Sequence, residues 1–111
     1  MKVVRIPEAI YGDVTIFRDC GDEVGLSDEC ISFINKLCKA KMKKERNAKW
    51  YEVNATDDEV IAIGNEIMIE IIARQNEELE QWYLTTSERT DIRRYIGKVK
   101  KWLDENMEAS A

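Results

Sequence analysis

The side chains most able to take part in chemistry are thiols and carboxylates, because the 111 residues include no histidine. Without imidazole the chain lacks the commonest general base, the commonest transition-metal ligand and any Ser-His or Cys-His nucleophile pair. Among the three cysteines, only Cys30 falls in the first turn of a predicted helix, where the helix dipole lowers a thiol pKa. Since no histidine can relay its proton, we predict that the protein is not an enzyme and assign no catalytic residue.

Two glutamates at helical spacing are the second candidate for chemistry. Glu66 and Glu70 lie four positions apart, so one helix can present both carboxylates to Mg²⁺ or Ca²⁺. A solvated acidic helix face explains the same spacing, and we favour it, assigning no metal ligand and no cofactor. A Mg²⁺-dependent hydrolase that uses these two carboxylates is the least favoured function.

Basic residues are concentrated in two segments of the chain. Seven of the 17 fall in 36–49 and six more in 89–101, whereas 52–80 carries nine acidic residues against Arg74. Either the basic segments pair with the chain's own acidic helix, or they present a basic face to a partner. The net charge of −5 and the pI of about 4.9 disfavour general attraction to polyanions.

The first basic segment is the feature that most suggests nucleic-acid binding. It ends beside Trp50 and Tyr51, so its cations could contact phosphates while the aromatic rings stack on bases. The candidate nucleic-acid contacts are Lys41, Lys43, Lys44 and Arg46. The alternative is a lysine-rich helix end, which the helix dipole favours, followed by a core strand that buries Trp50.

Large aromatic residues suggest a protein partner instead, because Trp and Tyr are enriched at interface hot spots. Trp82 and Tyr83 are adjacent at a predicted helix end, so they cannot both face one core. Together with Trp50 and Tyr51 they are the candidate partner contacts. Trp102 lies on the apolar stripe of the last predicted helix and is assigned to the core.

A predicted β element and one helix position the residues of the first half. The β-branched segments 2–6 and 14–18 predict a hairpin, and a glycine-containing loop follows it. Ser27 is predicted to N-cap a helix over 28–44, with acidic residues at its start and lysines toward its end. Alternating residues predict a short strand at 49–53.

Two long helices are predicted in the second half, each introduced by a capping box. The boxes are Thr56-x-x-Glu59 and Thr85-x-x-Glu88. The apolar stripes that follow predict helices over 57–84 and 87–107, which would span about 42 and about 31 Å. The first of these helices is longer than a compact domain of this size can cover. We therefore expect a second copy of the chain to cover its exposed apolar residues, in a homodimer.

The predicted fold class is α+β, with a short N-terminal β element and one helix followed by an antiparallel pair of long C-terminal helices. We divide the single domain, 1–111, into four segments. They are the β element and loop at 1–26, the helix and short strand at 27–55, the helical hairpin at 56–107 and a frayed tail at 108–111. No signal peptide or membrane-spanning segment is predicted, and unpaired thiols favour the cytoplasm.

The predicted function is a small non-catalytic interaction or regulatory protein, such as an adaptor, inhibitor or subunit. It would bind a protein partner through a helical surface, as a homo-oligomer. The alternative is a nucleic-acid-binding protein that uses 36–49 and 89–101.

Overall fold

The computed structural model describes residues 1–20 and 25–107, which form a three-stranded antiparallel sheet packed against helices. The strands, in the sheet order β1-β3-β2, are β1 (Lys2–Pro7), β2 (Met42–Glu45) and β3 (Ala48–Ala55). The α-helices are α1 (Glu8–Ile16), α2 (Asp28–Lys39), α3 (Asp57–Ala62), α4 (Ile69–Leu79) and α5 (Thr86–Met107). A π-helical segment, Ile63–Met68, joins α3 to α4, and we call the whole of 57–79 the composite helix. The predicted tail, 108–111, and part of the predicted loop lie outside the described residues.

The chain is α+β, but the predicted arrangement is wrong because helices are interspersed with strands. β1 pairs with β3, and the predicted partner of β1, 14–18, belongs to the end of α1 and the turn after it. Ile10, Val14 and Phe17 are buried at spacings of four and three, which is the spacing of one helix face. Pro7 ends β1 and is also the N-cap of α1, with a φ of −58° that suits the start of a helix.

The helix predicted over 28–44 is shorter, and its end belongs to a β-hairpin. The Ser27 hydroxyl accepts a hydrogen bond from the backbone N–H of Cys30 at 3.3 Å, which confirms the N-cap. α2 ends at Lys39 and the backbone at Ala40 is extended, because the apolar stripe ends at Cys38 and the following lysines have no core to pack on. The strand predicted at 49–53 is confirmed within β3, which also pairs with β2.

The predicted uninterrupted helix over 57–84 is also wrong, although its capping box is confirmed. A π-helical turn interrupts it, and within this turn a Cβ on Gly64 would lie 2.6 Å from the Met107 sulfur of α5. The helix then ends at Leu79, because the Arg89 guanidinium donates to the carbonyls of Leu79 and Gln81 and caps the helix end.

The apolar stripe of the composite helix is sheltered by the chain itself. Its buried members are Val60, Ile63, Ile67, Met68 and Ile71. At 23 residues the composite helix is about 35 Å long, within the 43 Å extent of the described molecule. The expected apolar overhang is therefore not present, and the homodimer stays a prediction without that support.

The core lies between the sheet and the helices, leaving the other sheet face exposed. Val4, Ile6 and Val53 are buried on the inner face. β1 is an edge strand, and its free edge is covered by α5. There the Trp102 indole N–H donates a hydrogen bond to the backbone carbonyl of Arg5 at 2.8 Å. Within the described ranges, no helix combines the length and the apolar character needed to cross a membrane.

Candidate nucleic-acid interface

The aromatic pair at the end of the first basic segment is divided between the two faces of the sheet. Side chains alternate along β3, so Tyr51 lies on the inner face and Trp50 on the outer one. The Tyr51 ring stacks on Tyr11 with centroids 3.9 Å apart and packs against the core. Trp50 is partly exposed, and of the two it is the ring available to a ligand.

Glu52 organises the outer face of the sheet around Trp50. Its carboxylate accepts hydrogen bonds from the Lys43 ammonium at 2.7 Å and from the Trp50 indole N–H at 3.0 Å, and the Arg5 Nε lies 3.6 Å away. The Arg5 guanidinium also lies over the Trp50 ring, 4.9 Å from its centroid. The Lys43 and Trp50 hydrogen bonds hold the pKa of Glu52 below its ordinary value, so the carboxylate is ionised at neutral pH.

A groove of about 440 Å³ opens between β1, the turn of the β2–β3 hairpin and α5, and we call it the basic groove. Its lining includes two tryptophan rings and four cations, contributed by Arg5, Lys49, Trp50, Lys98, Lys101 and Trp102. The carboxylates in the lining are Glu8 and Glu105, so the cations outnumber them by four to two. The groove thus combines the partly exposed ring of Trp50 with an excess of positive charge.

The basic groove brings Lys49 of the first basic segment beside Lys98 and Lys101 of the second. On α5, Arg94, Lys98 and Lys101 follow at spacings of four and three, so they share one helix face. In the described part of the chain, no ion pair links this helix to the carboxylates of the composite helix. The first basic segment does pair with the composite helix, through Lys36 and Glu59 at 2.8 Å.

The four candidate nucleic-acid contacts of the first basic segment lie on and before the exposed β2–β3 hairpin. Lys41, Lys43, Lys44 and Arg46 are all exposed. The pairing of Glu45 with Ala48 leaves a two-residue turn, and Arg46 opens it with a φ of 52°, the left-handed conformation that such turns require. β2 is an edge strand, and the charges of its lysines disfavour pairing of this edge with another chain.

Trp82 and Tyr83, the other candidate partner contacts, lie in the connection between α4 and α5. Their exposed fractions are 95% and 80%, so neither ring contributes to the core. They are not part of the lining of the basic groove. Trp102, which was assigned to the core, is 2% exposed, as predicted.

The residues considered for catalysis and metal binding have structural partners. Burial and a 2.7 Å hydrogen bond to Glu66 raise the pKa of Cys30 to about 12, so its thiol stays protonated. Glu66 also accepts the Ser27 hydroxyl at 2.9 Å and thereby fastens the start of α2, while Glu70 pairs with Arg74. No group of three or more acidic or cysteine side chains that could hold a metal ion occurs among the described residues.

Arg5 lines the groove although sequence reasoning did not consider it as a candidate contact, and Trp102 lines it as a buried residue. Arg5 reads as an ordinary polar position in a short strand, and only its pairing with β3 brings it over Trp50. Trp102 lies on the apolar stripe of its helix. That pattern predicts its burial but does not predict that it also lines a groove. The spacing of Lys98 and Lys101 on one face was visible in the sequence, although the surface that they face was not.

Comparison with known proteins leaves this site without a relative. No protein-family model, curated protein or solved structure matches the chain. The functional interpretation therefore rests on the geometry of the groove and its surroundings.

Proposed function

We propose that the protein binds nucleic acid through the basic groove and the adjoining hairpin, without catalysing a reaction. The observation that carries this proposal is the meeting of Lys49 with Lys98 and Lys101 at one groove beside Trp50. Cations that neutralise phosphates supply most of the affinity for nucleic acid, and an adjacent ring adds stacking on bases.

The charge distribution supports binding of a polyanion even though the whole chain is acidic. Segment 41–49 contains five basic residues and one acidic residue. Lys98 and Lys101 of α5 border the same groove. Since charges in water are screened beyond about 8–10 Å, a phosphate at the groove experiences this local excess more than the net charge of the chain.

Two charge-reversal variants of α5 test the proposal. Lys98→Glu with Lys101→Glu removes two cations of the groove, while Arg93→Glu with Lys100→Glu makes the same change in charge on another face of the helix. We expect the first pair to weaken binding of a labelled oligonucleotide at least about tenfold near 150 mM salt, and the second less than about threefold. Circular dichroism establishes that both variants fold.

The salt dependence of the wild-type protein provides a further readout. The affinity should fall steeply between about 50 and about 200 mM salt, and the slope should be shallower for the groove variant than for its control. Two results would contradict the proposal: no binding of any oligonucleotide at about 50 mM salt, or equal losses for the two variants.

The proposed compartment is the cytoplasm. Cys20, Cys30 and Cys38 are all free thiols, which reducing compartments maintain. A nucleic-acid-binding role is compatible with this placement.

A second candidate function is docking on a protein partner, and the exposure of Trp82 and Tyr83 favours it. Such large rings cost free energy when they face water, and they are enriched at interface hot spots. A partner recovered from native extract by the wild-type protein should be lost with Trp82→Ala and Tyr83→Ala, yet kept with Trp50→Ala. Retention of the purified partner by the double variant would rule out this surface.

A further inference from the structure

The basic groove has the size and the lining of a site for one nucleotide. Its volume of about 440 Å³ falls near the lower end of the range for small-molecule sites, about 300–1,000 Å³. In a duplex the bases are paired and stacked inside, so an aromatic surface in a groove reaches only a base that has left the stack.

Trp50 presents ring surface rather than a hydrogen-bond donor, whereas the Trp102 ring at the edge of the groove is only 2% exposed. The Trp50 indole N–H donates to Glu52 at 3.0 Å, and the Trp102 indole N–H donates to the Arg5 carbonyl at 2.8 Å. Because an indole has only this one donor, neither ring has a hydrogen bond left to read a base edge. What remains is stacking and apolar contact, which every base can accept.

The Trp50 ring is also held in place before a ligand arrives. Arg5 lies over the Trp50 ring, and Glu52 fixes both the guanidinium and the indole. A side chain that is already ordered loses little conformational entropy on binding, so its contacts contribute more fully to affinity. Lys98 and Lys101 stand beside the rings on one helix face, where they can contact the phosphates that flank a base.

From these observations we infer that the basic groove binds single-stranded nucleic acid, with one unpaired base against Trp50 and the flanking phosphates on Lys98 and Lys101, and with little preference for sequence. This inference rests on the proposed function and deepens it, because it names the form of nucleic acid that the site accepts.

The test compares a labelled single-stranded 12-mer with the same strand annealed to its complement, by fluorescence polarisation near 150 mM salt. The wild-type protein should bind the single strand at least about tenfold more tightly than the duplex. Single strands of shuffled sequence should bind within about threefold of one another.

Three tryptophan variants separate stacking from structure. Trp50→Ala should weaken binding of the single strand at least about tenfold, while Trp50→Phe, which keeps a ring, should recover much of that loss. Trp82→Ala, which removes an exposed ring outside the groove, should leave binding unchanged. Recovery by phenylalanine would not be seen if the variant merely lost an internal hydrogen bond, because phenylalanine has no indole N–H.

The outcomes distinguish this inference from the function on which it rests. If the wild-type protein binds neither form even near 50 mM salt, the proposed function fails and the inference with it. If single strand and duplex bind equally, or Trp50→Ala binds like the wild type, nucleic-acid binding stands and the single-strand site is overturned. If polyglutamate of equal charge displaces the strand as well as unlabelled DNA does, the groove selects charge alone and the inference is overturned.

Discussion

Glu52 acts as a positioning residue, because it holds three side chains of the outer sheet face in one arrangement. Its carboxylate is shared by Lys43, Trp50 and Arg5. None of these partners is close to it in the sequence except Trp50, so strand pairing creates the cluster. The orientation of the proposed stacking ring therefore depends on an ionised carboxylate that itself need not touch a ligand.

Titration of Glu52 should be visible at the Trp50 indole. The Lys43 and Trp50 hydrogen bonds favour the ionised carboxylate and lower its pKa, so the group keeps its charge until the pH falls below the ordinary value of 4.5. In NMR spectra we expect the Trp50 indole N–H resonance to shift with a midpoint below 4.5. The shift should vanish in Glu52→Gln, and a midpoint at or above the ordinary value would contradict the assignment.

Glu59 should be more important for stability than the matching glutamate of the second capping box. It is 6% exposed and accepts hydrogen bonds from Lys36 at 2.8 Å and Ser32 at 3.2 Å as well as from Thr56. Glu59→Gln should lower the free energy of unfolding by about 2 kcal/mol in urea titrations at neutral pH, because charge-assisted hydrogen bonds are lost. Glu88→Gln, in an exposed box, should cost about 0.5–1 kcal/mol, and equal losses would contradict the buried network.

The pH dependence of the same pair has a defined sign. Burial alone would raise the pKa of Glu59, but the hydrogen bonds from Lys36 and Thr56 outweigh it, so the pKa lies below its ordinary value. A lowered pKa contributes stability above the unfolded value, and this contribution is lost as the pH falls through the folded value. The stability difference between the wild-type protein and Glu59→Gln should therefore shrink below about pH 4.5. A difference that grows in acid would contradict it.

At the level of elements, Gly64 leaves room for the Met107 side chain of α5 against the composite helix. A Cβ there would meet the Met107 sulfur at 2.6 Å and the Leu103 side chain at 3.5 Å, whereas a Cβ on Gly97 of α5 would meet nothing within 4 Å. Gly97→Ala should stabilise the fold by about 0.5–1 kcal/mol through helix propensity. Gly64→Ala should instead destabilise it by about 1 kcal/mol, since overpacking outweighs that gain. If both variants raised the melting temperature equally, the Met107 side chain would move aside without loss of stability, which would contradict this prediction.

Local signals in the sequence predicted the helix starts and missed the pairing of strands. Ser27, Thr56 and Thr85 all cap helices as predicted, because each cap involves residues only three positions apart. The partner of β1 is some 50 residues distant, and no short-range pattern encodes it. The apolar residues of α1 fit a strand as well as a helix over so short a stretch, and burial against the core selected the helix.

At the scale of the whole molecule, the proposed site exists only in the folded chain. Its residues come from β1, the hairpin and α5, which span nearly the whole described sequence. The two basic segments were visible as composition, but a sequence does not show whether distant charges meet, and pairing with the acidic helix explained the same composition. The packing of α5 across the edge of β1 is what brings Lys98 and Lys101 beside Lys49.

That packing depends on Trp102, which joins the last helix to the first strand. Its indole N–H donates to the Arg5 carbonyl at 2.8 Å and its ring is 2% exposed. Trp102→Phe should lower the free energy of unfolding by about 1–3 kcal/mol, because the carbonyl loses its partner and the smaller ring leaves a gap. It should also weaken single-strand binding, since Arg5 and α5 border the same groove. Trp82→Phe, at a ring 95% exposed, should change neither quantity. If both variants unfold at the same urea concentration as the wild type, the indole contact does not hold α5 on the sheet, and the groove has another support.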